Sequence, residues 1–216
     1  MFHVKICGIT NVADAHHAAG AGADAIGINF YGGSVRAVSV DQGRTIAEAT
    51  PKDVARVGVF VNAGAEEVRK TAECLNLDYV QLHGDESPSI VDELAGFRVI
   101  RAYRLGDAGW QPLVAYLDEC RRLGAMPSAI MVDACREGAY GGTGHTVDWP
   151  LARQFHELQL GMPLILAGGL VAENVAEAIA AVSPAAVDTA SGVESSPGRK
   201  DPERVTAFVA AARAAL

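Results

Sequence analysis

Phe2-His3-Val4-Lys5-Ile6-Cys7, Gly8-Ile9-Thr10-Asn11, Val12-Ala13-Asp14-Ala15-His16-His17-Ala18-Ala19, Gly20-Ala21-Gly22-Ala23-Asp24, Ala25-Ile26-Gly27-Ile28-Asn29-Phe30: the chain opens with an apolar run, a turn, an alanine-rich amphipathic stretch, a second turn and a second apolar run. The apolar runs are short, β-branched and bounded by Gly, Asp or Asn, which favours strand over helix. The same unit recurs to the last residue. Strands are expected over residues 2–7, 25–30, 56–61, 79–82, 98–102, 129–132, 164–167 and 185–187. Helices are expected over 12–19, 41–49, 65–75, 88–94, 110–123, 149–158, 174–181 and 202–215. Strict alternation of this kind builds a parallel sheet with right-handed crossovers. Eight such units in 216 residues favour a single (β/α)8 TIM barrel, residues 1–216, over a doubly wound open sheet. No Pro/Gly/Ser-rich linker or charge block divides the chain. Its most glycine-rich segment, 138–146, falls inside the sixth unit.

Composition narrows the function. Half the residues are apolar, a fifth are charged, and the formal net charge is −8. An acidic chain lacks the basic face that releases phosphate counterions, so nucleic acid is not an expected partner. No run approaches the ~20 apolar residues of a membrane span, and the first residues carry neither a basic leader nor a long apolar region. A cytoplasmic location is therefore expected, with Cys7, Cys74, Cys120 and Cys135 reduced. They form no CxxC pair and no zinc spacing. Without HExxH, paired HxH or an acidic cluster, no metal is expected.

Period-2 alternation in the strands sorts the side chains by face. Phe2, Val4 and Ile6 share one face, as do Val57, Val59 and Val61, and Ile130 and Val132. These β-branched faces are expected to pack under helices. The opposite faces then carry Cys7, Asn29, Asn62, His83, Arg101, Asp133 and Asp188 to the inside of the barrel, at the carboxyl ends of the strands. Active sites of this fold are built at that end, although the fold alone names no reaction.

Several of these residues carry chemistry. Cys7 ends a strand and is followed by Gly8, with Lys5 two residues back on the same face. A neighbouring ammonium lowers a thiol pKa, and a thiolate serves as nucleophile or general base. The bland alternative is a small buried hydrophobe, which is the expectation for Cys74 and Cys120 on helices. Leu166-Ala167-Gly168-Gly169-Leu170 and Asp188-Thr189-Ala190-Ser191-Gly192-Val193-Glu194 follow the seventh and eighth strands. Glycine there lets backbone N–H groups close on a phosphate, so these two loops are a candidate phosphate site. Asp133 and Asp188 end strands, where an aspartate is either hydrogen-bonded scaffolding or an acid/base group. Arg36 lies in the long second loop; its planar fork suits a carboxylate, although a solvated surface arginine is the commoner case. His83 ends the fourth strand and either stabilises the mouth or orients a substrate.

Taken together, these residues resemble the phosphoribosylanthranilate isomerase family. Lys5-Ile6-Cys7-Gly8-Ile9-Thr10 is similar to that family's opening motif. Gly58-Val59-Phe60-Val61-Asn62, Gln81-Leu82-His83-Gly84-Asp85-Glu86, Gly141-Gly142-Thr143-Gly144, Leu166 to Leu170, and Val187-Asp188 with Ser191-Gly192-Val193-Glu194 follow in order across nearly the whole chain. The resemblance implies a cofactor-free Amadori rearrangement of N-(5-phosphoribosyl)anthranilate to 1-(2-carboxyphenylamino)-1-deoxyribulose 5-phosphate, in tryptophan biosynthesis. It implies Cys7 as general base, Asp133 as general acid, Arg36 on the anthranilate carboxylate, Asp188 and His83 near the substrate, and backbone amides of Gly168, Gly169, Ser191 and Gly192 on the phosphate. Such a pair needs a lowered thiol pKa and a raised carboxyl pKa. The implied partner is a small phosphorylated substrate, and the implied assembly a monomer or homodimer.

The chain departs from the family pattern at Asn29, at Gly32-Gly33 where proline is common, and at Ala190 where serine is usual. Rival readings are another sugar-phosphate isomerase or epimerase, an indole-glycerol-phosphate lyase, and an inactive phosphate-binding barrel serving as an interaction module. An epimerase of that kind would show metal-binding His and Asp, and a lyase two acidic residues without Cys7. An inactive barrel has no reason to keep Cys7, Asp133 and Arg36 together.

Overall fold

The computed structural model describes residues 1–134 and 147–216. The apolar runs form β1 (Val4–Ile6), β2 (Ala25–Asn29), β3 (Ala55–Phe60), β4 (Tyr79–Leu82), β5 (Val99–Leu105), β6 (Ala129–Ala134), β7 (Leu164–Leu166) and β8 (Ala186–Thr189). Each pairs in parallel with the next, and β8 returns to β1, so the sheet closes into an eight-stranded barrel. Closure sets Val4, Lys5 and Ile6 beside Val187, Asp188 and Thr189. The helices are α1 (Val12–Gly20), α2 (Val40–Ala49), α3 (Ala65–Leu75), α4 (Ser89–Glu93), α5 (Gln111–Leu123), α6 (Trp149–Arg153), α7 (Val175–Val182) and α8 (Pro202–Ala215). Polar side chains start several of them. Asn11 accepts from the Asp14 amide, Ser39 and Gln42 form a capping box, and Asp148 and Asp201 accept from the first turns of α6 and α8.

Two elements differ from expectation. The sixth helix keeps its α-helical form only to Arg153, then tightens to a 3-10 turn over Gln154–Leu158 that ends on left-handed Gln159. A hairpin follows β8: β9 (Glu194–Ser196) and β10 (Arg199–Lys200) pair antiparallel across Pro197 and Gly198. Gly198 has φ +79°, as the third position of a type II turn demands, and a Pro-Gly dipeptide is its sequence signal.

Two packing layers hold the barrel. Inside, Ala25, Val57, Tyr79, Ile100, Met131, Ile165 and Ala186 form a cluster that contains no helical residue. Outside, Val4, Ile6, Ile28, Ile130, Val132 and Val187 pack with the helices through residues such as Ala15, Leu117, Val175 and Phe208.

Three face assignments are corrected here. The backbone bends at His3 before β1 begins, which breaks the alternation. Phe2 turns inward and meets Tyr79 edge-on, with ring centroids 5.4 Å apart. In β3, Val57 points inside and Val59 lines the mouth, whereas Phe60 packs outward on Val68, Ala72 and Leu82. β-branching marks a strand but not its face; the bulky Phe60 ring fits the strand–helix layer, where it stacks on Phe30 at 5.2 Å. Arg101 and Asn62 do not join the polar mouth. Arg101 pairs with Glu86 at 2.5 Å and lies over the Tyr116 ring. Asn62 takes a left-handed conformation (φ 54°) and accepts the Asp85 amide at 2.7 Å.

Candidate active site

A cavity opens at the carboxyl ends of the strands. The nine residues to which the sequence reading assigns a catalytic, substrate or phosphate role all line it. Cys135, the glycine-rich segment 138–146 and the motif Gly141-Gly142-Thr143-Gly144 lie outside the described residues.

Cys7 follows β1 directly. Its amide donates to the Thr189 carbonyl at 2.8 Å, which fixes it beside β8. Gly27 faces it from β2: a methyl group there would sit 2.6 Å from Cys7 Sγ, so the thiol occupies the space that glycine leaves. Lys5 is fully buried two residues back, and Nζ donates to Asp188 Oδ1 at 2.8 Å. Burial pushes the Cys7 thiol up; Lys5 opposes that rise and Asp188 adds to it. The lowering expected from Lys5 alone is therefore reversed, because the ammonium is shared with a carboxylate and the thiol is desolvated. Lys5 itself is held charged: burial works against it, but Asp188 and Cys7 outweigh the burial and raise its pKa. Burial also raises Asp188, against the pull of Lys5, and the neighbouring Asp133 adds to the rise.

Asp133 is the penultimate residue of β6, almost fully buried, and His83 follows β4. His83 Nδ1 meets Gln81 Nε2 at 2.8 Å, and its Nε2 lies 3.3 Å from Asp133 Oδ2. When Gln81 donates to Nδ1, the imidazole proton is left on Nε2, a buried nitrogen that makes no hydrogen bond among the described residues. Gln81 carried no flag in the sequence, but as the residue two before His83 it shares that strand face.

The loops after β7 and β8 interlock. Gly168 and Gly169 both take positive φ, +86° and +62°, a conformation open to glycine. Asn174 closes this loop from behind: its Nδ2 donates to the Gly169 carbonyl at 3.0 Å, and its Oδ1 accepts the Val171 amide at 2.9 Å. Thr189 Oγ1 donates to the Leu170 carbonyl at 2.7 Å and ties the two loops together. A side chain at Gly192 would collide with that same carbonyl, so only glycine allows the approach. Ala190 replaces a hydroxyl but leaves the backbone amides in place.

Arg36 reaches the cavity from the second loop. Its Nε and Nη2 donate to Glu194 Oε1 and Oε2 at 2.8 and 2.7 Å. It is thus a partly buried, paired arginine and not a solvated one. Glu194 carries no signal of a role in the sequence, because its partner Arg36 meets it only once the hairpin is placed. Asn29 also lines the cavity, with Oδ1 turned to the Tyr31 amide at 2.8 Å. Among the described residues, no group of three or more His, Cys, Asp or Glu comes together to hold a metal ion, and no helix is long and apolar enough to cross a membrane.

A closed (β/α)8 barrel whose mouth gathers a thiol, carboxylates, an imidazole and a fixed arginine belongs to the class of barrel enzymes equipped for acid/base chemistry on a small polar ligand. Comparison with known proteins gives the family. The model of N-(5'-phosphoribosyl)anthranilate isomerase matches residues 4–211. The N-(5'-phosphoribosyl)anthranilate isomerase of Rubrobacter xylanophilus is 46% identical over 99% of this chain and 100% of its own length. The crystal structure of phosphoribosyl anthranilate isomerase from Thermotoga maritima is 36% identical and superposes with a TM-score of 0.85, covering 99% of this chain and 100% of that one. Another structure, with TM-score 0.83, 35% identity and coverage of 99% and 100%, holds phosphoribosyl anthranilate isomerase in complex with reduced 1-(o-carboxyphenylamino)-1-deoxyribulose 5-phosphate. This chain belongs to the N-(5'-phosphoribosyl)anthranilate isomerase family.

Proposed function

We infer that this chain catalyses the Amadori rearrangement of N-(5-phosphoribosyl)anthranilate to 1-(2-carboxyphenylamino)-1-deoxyribulose 5-phosphate in tryptophan biosynthesis, with Cys7 as general base and Asp133 as general acid. One observation carries the assignment of roles: a single cavity collects Cys7, Asp133, the glycine loops and Arg36. The substrate is a small molecule with a phosphate at one end and a carboxylate at the other. The amides of Gly168, Gly169, Ser191 and Gly192 suit the phosphate. The guanidinium of Arg36 suits the carboxylate.

The chemistry runs between those ends. Asp133 gives its proton to the furanose ring oxygen, the bond from C1′ to that oxygen breaks, and a Schiff base forms between C1′ and the aryl nitrogen. The Cys7 thiolate removes the C2′ proton to give an enolamine. Protonation at C1′ and loss of the 2′-hydroxyl proton complete the ketone. One proton leaves carbon and one returns, one enters the ring oxygen and one leaves the 2′-hydroxyl, so substrate and product are isomers and no electron carrier is required. A thiol pushed up by burial makes a stronger base once ionised. The cationic Schiff base favours that ionisation where it is needed. His83 lies beside Asp133, its Nε2 3.3 Å from Oδ2, and Asp188, paired with Lys5, faces the reacting end.

The expected cytoplasmic location and the monomeric or homodimeric assembly go with this reading; light scattering of the purified chain distinguishes the two assemblies. The functional test follows the fluorescence of phosphoribosylanthranilate generated in situ. Wild type consumes it rapidly, and Cys7→Ser and Asp133→Asn each lose about 10²- to 10⁴-fold in kcat. A folded wild-type chain that leaves the fluorescence unchanged overturns the assignment. Loss in one variant alone reassigns the other role to Asp188.

A further inference from the structure

Behind the second loop lies a buried group of three charges, of which only Arg36 has a role in the chemistry above. Glu194 opens β9 and Lys200 closes β10, and the turn at Pro197-Gly198 brings them together. Lys200 Nζ donates to Glu194 Oε1 and to the Ala190 carbonyl, both at 2.9 Å. Arg36 grips the same carboxylate with two hydrogen bonds. The side chains of Lys200, Glu194 and Arg36 are 0, 5 and 12% exposed. The hairpin is anchored in turn: the Lys200 amide donates to Asp14 Oδ2 at 3.0 Å, and Thr10 Oγ1 donates to the Gly198 carbonyl at 2.6 Å. The Glu194 carboxylate therefore ties the loop after β2 to the hairpin after β8, and Thr10 and Asp14 tie that hairpin to the segment after β1.

The arginine stem is confined as well. It crosses Gly8, which has φ +74° and where any side chain would collide with Arg36 Cδ. A guanidinium carries five N–H donors in a rigid fork. Glu194 takes the edge formed by Nε and Nη2, which leaves the edge formed by Nη1 and Nη2 as a second fork on a residue that lines the cavity.

We propose that Glu194, held by Lys200, is a positioning residue that aims the second fork of Arg36 at the carboxylate on the substrate's aromatic ring. The proposal rests on the assignment of Arg36 to that carboxylate. Two cations and one anion leave one net positive charge, enough to attract a monoanion without leaving either cation unpaired in a buried place. Preorganisation of this kind raises affinity because the arginine is ordered before the ligand arrives. Glutamine at 194 cannot replace the arrangement: its NH2 group opposes one of the two arginine N–H donors, so the paired hydrogen bonds are lost.

The test measures the dissociation constants of two probes. One is reduced 1-(o-carboxyphenylamino)-1-deoxyribulose 5-phosphate; the other is the same molecule without the carboxylate. Glu194→Gln is expected to weaken the carboxylated probe about tenfold and the other by less than about twofold. Glu194→Asp, which keeps the charge, restores part of the preference and covers the case in which the glutamine variant does not fold. In an Arg36→Met background, Glu194→Gln changes the preference no further. Equal weakening of both probes, or a full effect of Glu194→Gln without Arg36, shows a merely structural role and overturns the proposal. If Arg36→Met alone leaves the preference intact, the carboxylate assignment itself has failed and the proposal falls with it.

Discussion

Gly27→Ala tests how closely the barrel wall fixes the general base. The added methyl carbon would lie 2.6 Å from Cys7 Sγ, 3.0 Å from its Cα and 3.2 Å from its Cβ, whereas ordinary van der Waals contact begins at 3.4 Å. The thiol is therefore about 0.8 Å too close, and turning it away does not relieve the other two contacts. The backbone has little room to retreat, because the Cys7 amide is bonded to Thr189 and the Ile9 amide to the Gly27 carbonyl, at 2.8 and 2.9 Å. The end of β1 must move off β2 and carry the sulfur with it. Overpacking of this kind costs about 1–3 kcal/mol of stability. In a chain of this length each kcal/mol lowers Tm by roughly 2–4 °C. Misplacing a reacting group by about 1 Å costs about 10²-fold in rate. The expected outcome is a folded, slightly less stable variant with kcat down about 10²-fold. Competitive inhibition by inorganic phosphate should stay unchanged, because the glycine loops are untouched. Initial rates from loss of substrate fluorescence, with a thermal melt, measure both. A folded Gly27→Ala with kcat within about threefold of wild type would falsify the claim that this glycine sets the position of Cys7.

Further perturbations follow from the same geometry. Gly192→Ala sets a side chain against the Leu170 carbonyl and should weaken inhibition by inorganic phosphate at least about tenfold; an unchanged inhibition constant moves the phosphate elsewhere. Lys5→Met removes the cation that opposes the rise of the Cys7 thiol. With a higher pKa less thiolate exists at any given pH, so the rising limb of kcat/KM should move to higher pH; an unshifted profile shows that Cys7 is not the base. Glu194 has its pKa lowered from 4.5 because Arg36 and Lys200 outweigh burial. A depressed carboxyl stabilises the fold fully above the unfolded value and loses that contribution as pH falls through the folded value. Urea melts of Glu194→Gln below pH 4.5 should therefore show a shallower loss of stability than wild type, and parallel curves would refute the linkage.

The alternation that begins with residues 2–30 was enough to give the barrel, because parallel strands covered by helices leave period and turn signals on every unit. The candidate site is legible for a related reason: inward-facing residues at strand ends converge once the barrel closes, as Cys7, Asp133 and Asp188 do, whereas Arg101 and Asn62, whose side chains turn to other partners, do not. What escaped depends on partners distant in sequence. Lys5 reads as a cation beside Cys7, but the closing register sets it against Asp188, and burial then decides the direction of the thiol shift. Arg36 reads as either a carboxylate fork or a solvated loop residue until the hairpin delivers Glu194, 158 positions later. The inward turn of Val57 and Val59 escaped because β-branched residues suit both faces of a buried strand.

The central claim is that Cys7 and Asp133 flank the reacting carbons of a substrate held with its phosphate on the glycine loops and its carboxylate on Arg36. The most direct measurement is a crystal structure of this chain with reduced 1-(o-carboxyphenylamino)-1-deoxyribulose 5-phosphate. The account predicts phosphate oxygens about 2.7–3.2 Å from the amides of Gly169 and Gly192, and Cys7 Sγ within about 3.5 Å of C2′. It predicts Asp133 within about 3.2 Å of the oxygen that leaves the ring. A ligand bound the other way round, with its phosphate on Arg36 and C2′ beyond reach of Cys7, would contradict it.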